Sequence, residues 1–221
     1  MRILTIALMF IFAMVMPAFA QNTVYLDQIG SSTSITIEQT GASNSVGTAA
    51  TRSQSDGSSN VVTLTQTGSG NVGNFNITGS NNTYSSTVTG DTNTVNLTCG
   101  NNTTACSSST ITEVISGDSN TLTTTMRGQN IQTTTTVTGD SNTITNNFSV
   151  SNSINSQTIT GSYNTLTSTQ EGAGGTSGHR LTVGIVGNSN TVTTYQGGTV
   201  DSTINLSVTG SANTISVRSS N

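Results

Sequence analysis

The sequence predicts an all-β chain, a flattened β-solenoid of about eight 22-residue rungs, each made of two 11-residue strand-turn arcs. Three observations carry that expectation. A Gly-x-x-Asn marker recurs at Gly41, Gly57, Gly68, Gly79, Gly90, Gly117, Gly139, Gly161, Gly187 and Gly210. Ahead of Gly187 the apolar residues Leu181, Val183 and Ile185 alternate with polar ones, and Ile204, Leu206 and Val208 do the same ahead of Gly210; a period of two bounded by Gly and Asn is the signature of a half-buried strand. No 3.6-residue period appears after residue 20, so helices are not expected.

Degenerate copies of the marker fall at Gly30, Gly100, Gly128, Val150, Gly172 and Gly198. From 117 to 172 the markers advance by 11 at every step, strong copies alternating with weak ones, so the full period is 22. Such periodicity is the mark of a solenoid, in which each unit buries its apolar face only against its neighbours. Sixteen markers give eight rungs, which at about 4.8 Å per strand stack to roughly 38 Å. The rhythm breaks near 47–56, 101–113 and 173–180, which are expected to be loop insertions.

The elements follow in order. Residues 1–20 form a separate object: Arg2, an apolar run from Ile3 to Met16, and Ala18-Phe19-Ala20 at its end read as a signal peptide with its cleavage site. Residues 21–221 are then a single repeat domain, secreted and extracellular, with no later segment suited to membrane insertion. Along it Val24, Ile35, Val62, Val95, Leu122, Ile144, Leu166, Val192 and Ile215 take the first inward place of their strands, and Thr124, Asn146, Ser168 and Thr194 sit two residues further on. Polar side chains stacked in register can satisfy one another from rung to rung. The residues expected to form such ladders are Gln28, Gln39 and Gln66 together with Asn44, Asn71, Asn82, Asn93, Asn120, Asn142, Asn164, Asn190 and Asn213. In an oxidising compartment Cys99 and Cys106 are expected to pair with each other.

Composition excludes several functions. The chain has five basic and nine acidic residues and a net charge of -4, so it lacks the clustered cations that nucleic-acid binding requires. Its single histidine, His179, lies beside Arg180 in a glycine-rich insertion, where a surface loop residue is the favoured reading, and the dispersed carboxylates form no catalytic pair; no enzyme activity, cofactor or metal is expected. Gly68-Ser69-Gly70-Asn71-Val72-Gly73 matches a dinucleotide fingerprint, but a strand pattern follows where that motif needs a helix. Asp91, Asp118 and Asp140 each follow a marker glycine; stacked carboxylates suit calcium, although turn aspartates also bond local backbone. Thr121 and Thr123, Thr143 and Thr145, Thr165 and Thr167, and Thr191 and Thr193 repeat as Asn-Thr-Φ-Thr and should form a flat double file, similar to the threonine faces of solenoid ice-binding proteins, although β-branched threonine also suits any exposed strand position.

"EQTGASNSV" (38–46) and "TQTGSGNV" (65–72) resemble the curlin repeat, in which Gln-x-Gly-x-x-Asn or Gln-x-Gly-x-Gly-Asn joins alternating strands. The match falls on Gln28, Gly30, Gln39, Gly41, Asn44, Gln66, Gly68, Gly70 and Asn71; later units carry Ile77, Val88, Ile115, Val137, Ile159 and Val208 in place of the glutamine. The resemblance implies a bacterial subunit of curli-type amyloid fibres, exported unfolded through a dedicated channel with its chaperone, and assembled outside the cell into filaments for adhesion and biofilm formation. The segments "NTVYLDQ" and "NTISVRSSN" at the two ends of the repeats read as ordinary units, so each is expected to act as a template for another copy, and head-to-tail stacking that does not close gives a filament. The alternative expectation is a monomeric binding module, ice-binding through the threonine file or acting as a surface adhesin.

Overall fold

The computed structural model describes residues 21–101, 103–172 and 175–221; the expected signal peptide lies outside the described residues. Every strand pair is parallel, and the strands form two long sheets with a two-stranded side piece. One sheet stacks Ser34–Thr40, Val61–Thr67, Thr83–Thr89, Thr110–Ser116, Gln132–Thr138, Ile154–Thr160, Arg180–Val186 and Thr203–Thr209, eight strands in chain order. The opposing sheet begins with two broken rows, Thr23–Val24 with Leu26–Ile29 and Ser45–Val46 with Ser53–Asp56. It continues through Val72–Thr78, Thr94–Cys99, Thr121–Met126, Thr143–Phe148, Thr165–Gln170, Thr191–Gly197 and Thr214–Ser220. The chain alternates between the sheets at each turn, which is a β-solenoid of about eight turns.

Parallel strands usually need long crossovers; here four-residue turns suffice because each strand's partner lies a full rung away. The turn has a fixed form. Its glycine has positive φ, as at Gly117 (132°) and Gly139 (121°), and its third residue is left-handed, as at Ser119 (59°) and Ser141 (57°). Serine and asparagine are tolerated at the third place, whereas the first brings two rungs too close for any side chain: a Cβ on Gly139 would lie 2.2 Å from the Gly161 carbonyl oxygen.

The long strands alternate between buried residues and exposed or half-buried ones, as Thr110–Ser116 and Gln132–Thr138 show. Val62, Val95, Leu122, Ile144, Leu166 and Val192 are buried from the two sheets into one core, with Ile35 and Ile215 partly buried at its ends. Val24 departs from expectation: it shares the column of Val46 but is 47% exposed, because it stands in the first row and no strand lies beyond it among the described residues.

The insertions are shorter than expected. Residues 48–52 loop out between Ser45–Val46 and Ser53–Asp56, and the latter strand rejoins the sheet against Leu26–Ile29 and Val72–Thr78. The second loop runs between Cys99 and Cys106, its residue 102 lying outside the described residues; Cys106–Ser107 already pairs with Gly128–Gln129. The third ends at His179, since Arg180 opens the next strand, and its residues 173 and 174 lie outside the described residues.

Cys99 and Cys106 form a disulfide with Cα atoms 5.2 Å apart, and both are buried. The loop they close is small, so removing the crosslink in a Cys99→Ala/Cys106→Ala variant is expected to cost about 2 kcal/mol. Hydrogen exchange should show faster opening around 100–105 while the central rungs keep their protection.

Candidate functional site

The most regular chemistry of the chain is an asparagine ladder along one edge. Asn22, Asn44, Asn71, Asn93, Asn120, Asn142, Asn164, Asn190 and Asn213 stack one per rung. The Oδ1 of Asn120 accepts the Asn142 backbone N–H (2.9 Å) and its Nδ2 (3.0 Å), while Asn120 Nδ2 donates to the Gly139 carbonyl (2.8 Å). The same three bonds recur at Asn44, Asn71, Asn93, Asn142, Asn164 and Asn190. Asn22 fits the pattern at the first row, accepting from Asn44 N–H and donating to Gly41 O. Acceptors always face the rung that follows in the chain, so the ladder is polar. Turn glycines Gly41, Gly68, Gly90, Gly117, Gly139, Gly161, Gly187 and Gly210 lie on this edge.

Asn82 belongs elsewhere. It stacks on Asn60 at the opposite edge (Nδ2 to Oδ1, 3.2 Å) beside Gly79, and Ser109 N–H continues the column (3.1 Å). Beyond it the column changes character: Ile131 N–H donates to Ser109 Oγ (3.2 Å), and Ser202 N–H to His179 Nδ1 (3.3 Å). Two loops, 100–105 and the one before Arg180, emerge on this edge, whereas none interrupts the asparagine edge. That asymmetry is the strong-weak alternation of the markers. It also corrects the surface-loop reading of His179, which is buried at the turn place immediately before its strand, where Asn60 sits in an earlier rung.

The glutamines form pairs rather than a ladder. Gln39 Nε2 donates to Gln66 Oε1 (2.8 Å), but Val88 takes the next place in register. Gln28 is exposed, because it lies in the first row over Ser55. A pair that the sequence did not single out, Gln170 and Gln196, is bonded at 2.8 Å.

Inside the solenoid, Thr124, Asn146, Ser168 and Thr194 are buried as expected, but they bond across the sheets as well as along the stack. Thr124 Oγ1 donates to Glu113 Oε2 (3.4 Å), Asn146 Nδ2 to Thr135 Oγ1 (3.4 Å), and Gln157 Nε2 to Ser168 Oγ (2.9 Å). Glu113 is fully buried between Ile111 and Ile115, and desolvation pushes its carboxyl up to about 8; the bond from Thr124 opposes this. Tyr84 is buried nearby, its hydroxyl pushed up by burial and by the Glu113 charge.

Glu113 gives a pH dependence with a definite sign. The folded chain holds the proton up to about pH 8, whereas an unfolded carboxyl releases it near 4.5. Stability from this group is therefore fully present below about 4.5 and is lost as pH rises to about 8. The loss is on the order of 3 kcal/mol by pH 7. Urea melts at pH 4.5, 6 and 8 should show this decline, and Glu113→Gln should flatten it.

Outside, Thr121, Thr143, Thr165 and Thr191 stand in register on four adjacent strands, as do Thr123, Thr145, Thr167 and Thr193. Thr94 and Thr214 extend the first file at either end. Asp91, Asp118 and Asp140 also stack, but each Oδ1 accepts a backbone N–H of the preceding rung (2.7, 2.7 and 2.8 Å, from Ser69, Asp91 and Asp118). These aspartates tie turn to turn. Gly73, the last glycine of the dinucleotide-like motif, faces the core, where a Cβ would lie 2.8 Å from Leu64 Cδ2.

The fold thus defines a β-solenoid repeat protein. Against family models, curated proteins and solved structures, the chain finds no match.

Proposed function

We propose that the chain is a secreted, curli-like structural subunit that stacks end to end into extracellular amyloid-type fibres for adhesion and biofilm matrix. The observation that carries this reading is the polar asparagine ladder, whose bonding repeats at every step from Asn44 to Asn213. An edge that is complementary to the next rung of its own chain is equally complementary to a rung of another copy. Asn22 of a second copy would take at Asn213 the place that Asn213 takes at Asn190. Parallel in-register pairing with stacked amides is the chemistry of cross-β assemblies, and a heterologous contact that does not close yields a filament.

In this reading the working residues are the ladder asparagines, the paired glutamines, the inward aliphatics and the turn glycines, and none turns over a substrate. The partners are further copies, the surfaces or cells to which the fibre attaches, and the export channel and chaperone of a curli-type system. The test is seeded growth. Residues 21–221 diluted from denaturant should raise thioflavin fluorescence after a lag that sonicated fibres abolish. A soluble chain that remains unchanged with seeds contradicts the proposal.

A second reading is a monomeric binding module, ice-binding or adhesive. The flat threonine file over four strands favours it. Thermal hysteresis on freezing that is lost in a Thr145→Lys/Thr167→Lys variant would establish it; freezing without hysteresis would remove the ice-binding form.

A further inference from the structure

The regular outer face is interrupted at a trough where two insertions lie against the broken sheet. Its floor is the outward side of three successive rows: Gln54, Asn76 and Thr98 stand in register, with Asp56 beside Thr78 in the neighbouring column. Thr48, Thr51 and Arg52 border it on one side, and Gly100, Asn101 and Thr103 on the other. Two depressions of about 360 and 450 Å³ adjoin at Asn76 and Thr98, which border both.

Both walls are held in shape. Thr48 N–H donates to Thr51 O (2.7 Å) and Thr51 N–H to Thr48 Oγ1 (2.8 Å). Asn101 Oδ1 accepts from Thr103 N–H, Thr103 Oγ1 and Thr104 N–H (3.0, 2.9 and 2.7 Å). The Cys99–Cys106 disulfide fixes the base of that loop. On the floor Asn74 Nδ2 donates to Asn96 Oδ1 (2.8 Å), and Asn74 Oδ1 accepts Gly47 N–H (3.1 Å). The loops contribute no rung to the stack, so what they add to the molecule is this enclosure.

The lining selects a ligand class. Gln54, Asp56, Asn76, Thr98, Asn101 and Thr103 present amides, hydroxyls and one carboxylate. Arg52, the cation among the lining residues, is paired with Asp27 (3.4 Å). The Asp56 carboxylate in the lining opposes a phosphate or other polyanion. Phe75 and Leu97 are buried and border the second depression between Asn74, Asn76, Asn96 and Thr98. The strands of the floor are paired on both sides, so no free edge is offered to a peptide strand. A side-chain amide supplies a donor and an acceptor a bond angle apart, which matches the paired hydroxyls of a sugar ring.

We infer that this trough binds a neutral polysaccharide. The inference deepens the attachment part of the proposed function: each subunit of a fibre would carry one such site, and weak sites repeated along a filament gain avidity without any new contact.

The test uses residues 21–221 as a soluble chain, titrated with maltohexaose, cellohexaose and chitohexaose in turn, with a heparin-derived hexasaccharide and an unstructured hexapeptide as further probes. At least one neutral hexasaccharide should bind. Asn76→Ala and Asp56→Asn should each weaken it at least tenfold, with circular dichroism and melting unchanged, while Thr193→Lys, four strands from Asn96 on the threonine file, leaves it as it was. Binding of none of the neutral sugars, preference for the acidic sugar or the peptide, or affinity indifferent to Asn76 and Asp56 would each overturn the assignment. Sugar binding by a chain that never forms fibres would uphold the trough and refute the polymer; fibres without sugar binding would do the reverse.

Discussion

A Gly139→Val variant does not build a stable solenoid. Gly139 sits at φ +121°, and its Cβ would lie 2.2 Å from the Gly161 carbonyl oxygen and 2.7 Å from the carbonyl carbon. The backbone conformation alone is costly for a β-branched residue. The clash is with backbone, and that same oxygen accepts Asn142 Nδ2 (2.8 Å), so moving it would break the ladder. A loss of about 4 kcal/mol or more is expected, among the largest single-residue effects, and it lowers the melting temperature by roughly 10 °C or more in a domain of this size. Gly161→Val should behave alike. Gly184 is the control: nothing lies within 4 Å of its Cβ position and it carries no positive φ, so Gly184→Ala should leave the melting temperature within about a degree or two. Equal loss at both sites, or none at Gly139, would remove the turn-stacking account.

Asn142→Ala is the second large effect. Its side chain accepts the Asn164 N–H and Nδ2 (2.9 and 3.1 Å) and donates to Asn120 Oδ1 and the Gly161 carbonyl (3.0 and 2.8 Å). Truncation leaves several buried groups without partners, each costing about 1 to 3 kcal/mol. A total near 4 kcal/mol is expected after relaxation. Asn213→Ala, at the last rung and only partly buried, should cost about 1 kcal/mol. Urea melts of both variants check the gradient; equal costs would mean that the ladder does not act as a chain of buried amides. In assembly the order reverses in interest: Asn213→Ala should slow elongation although it barely affects folding.

Much of this was legible because the two periods are independent. Alternation fixes which residues face inward, and the 22-residue repeat fixes which of them stack, so Leu122, Ile144 and Leu166 could be placed in one column without coordinates. What the repeat does not carry is the position of a rung within the stack. Gln28 and Val24 have the right parity and still lie exposed, since burial at an inward place needs a neighbour on both sides. Asn82 has the same marker as Asn71 but stands on the other edge, and the alternation of strong and weak markers held the clue. His179 reads as a loop residue because glycines surround it; counting one residue back from its strand places it in the column of Asn60. Glu113 had a usable signal in its parity with Ile111 and Ile115. The saccharide trough had none, because a sequence marks where insertions occur but not which outward side chains they lean over.

The most direct test of end-to-end stacking is mass per length of unstained fibres in the electron microscope. Growth by adding one whole solenoid at each step predicts one chain per about 40 Å of single filament, from eight to nine rows at about 4.8 Å each. Several chains per 40 Å within one filament, or strands that do not lie across the fibre axis, would mean that the copies associate through their faces, and the account of the terminal rungs, joined through the asparagine ladder, as the assembly surface would be wrong.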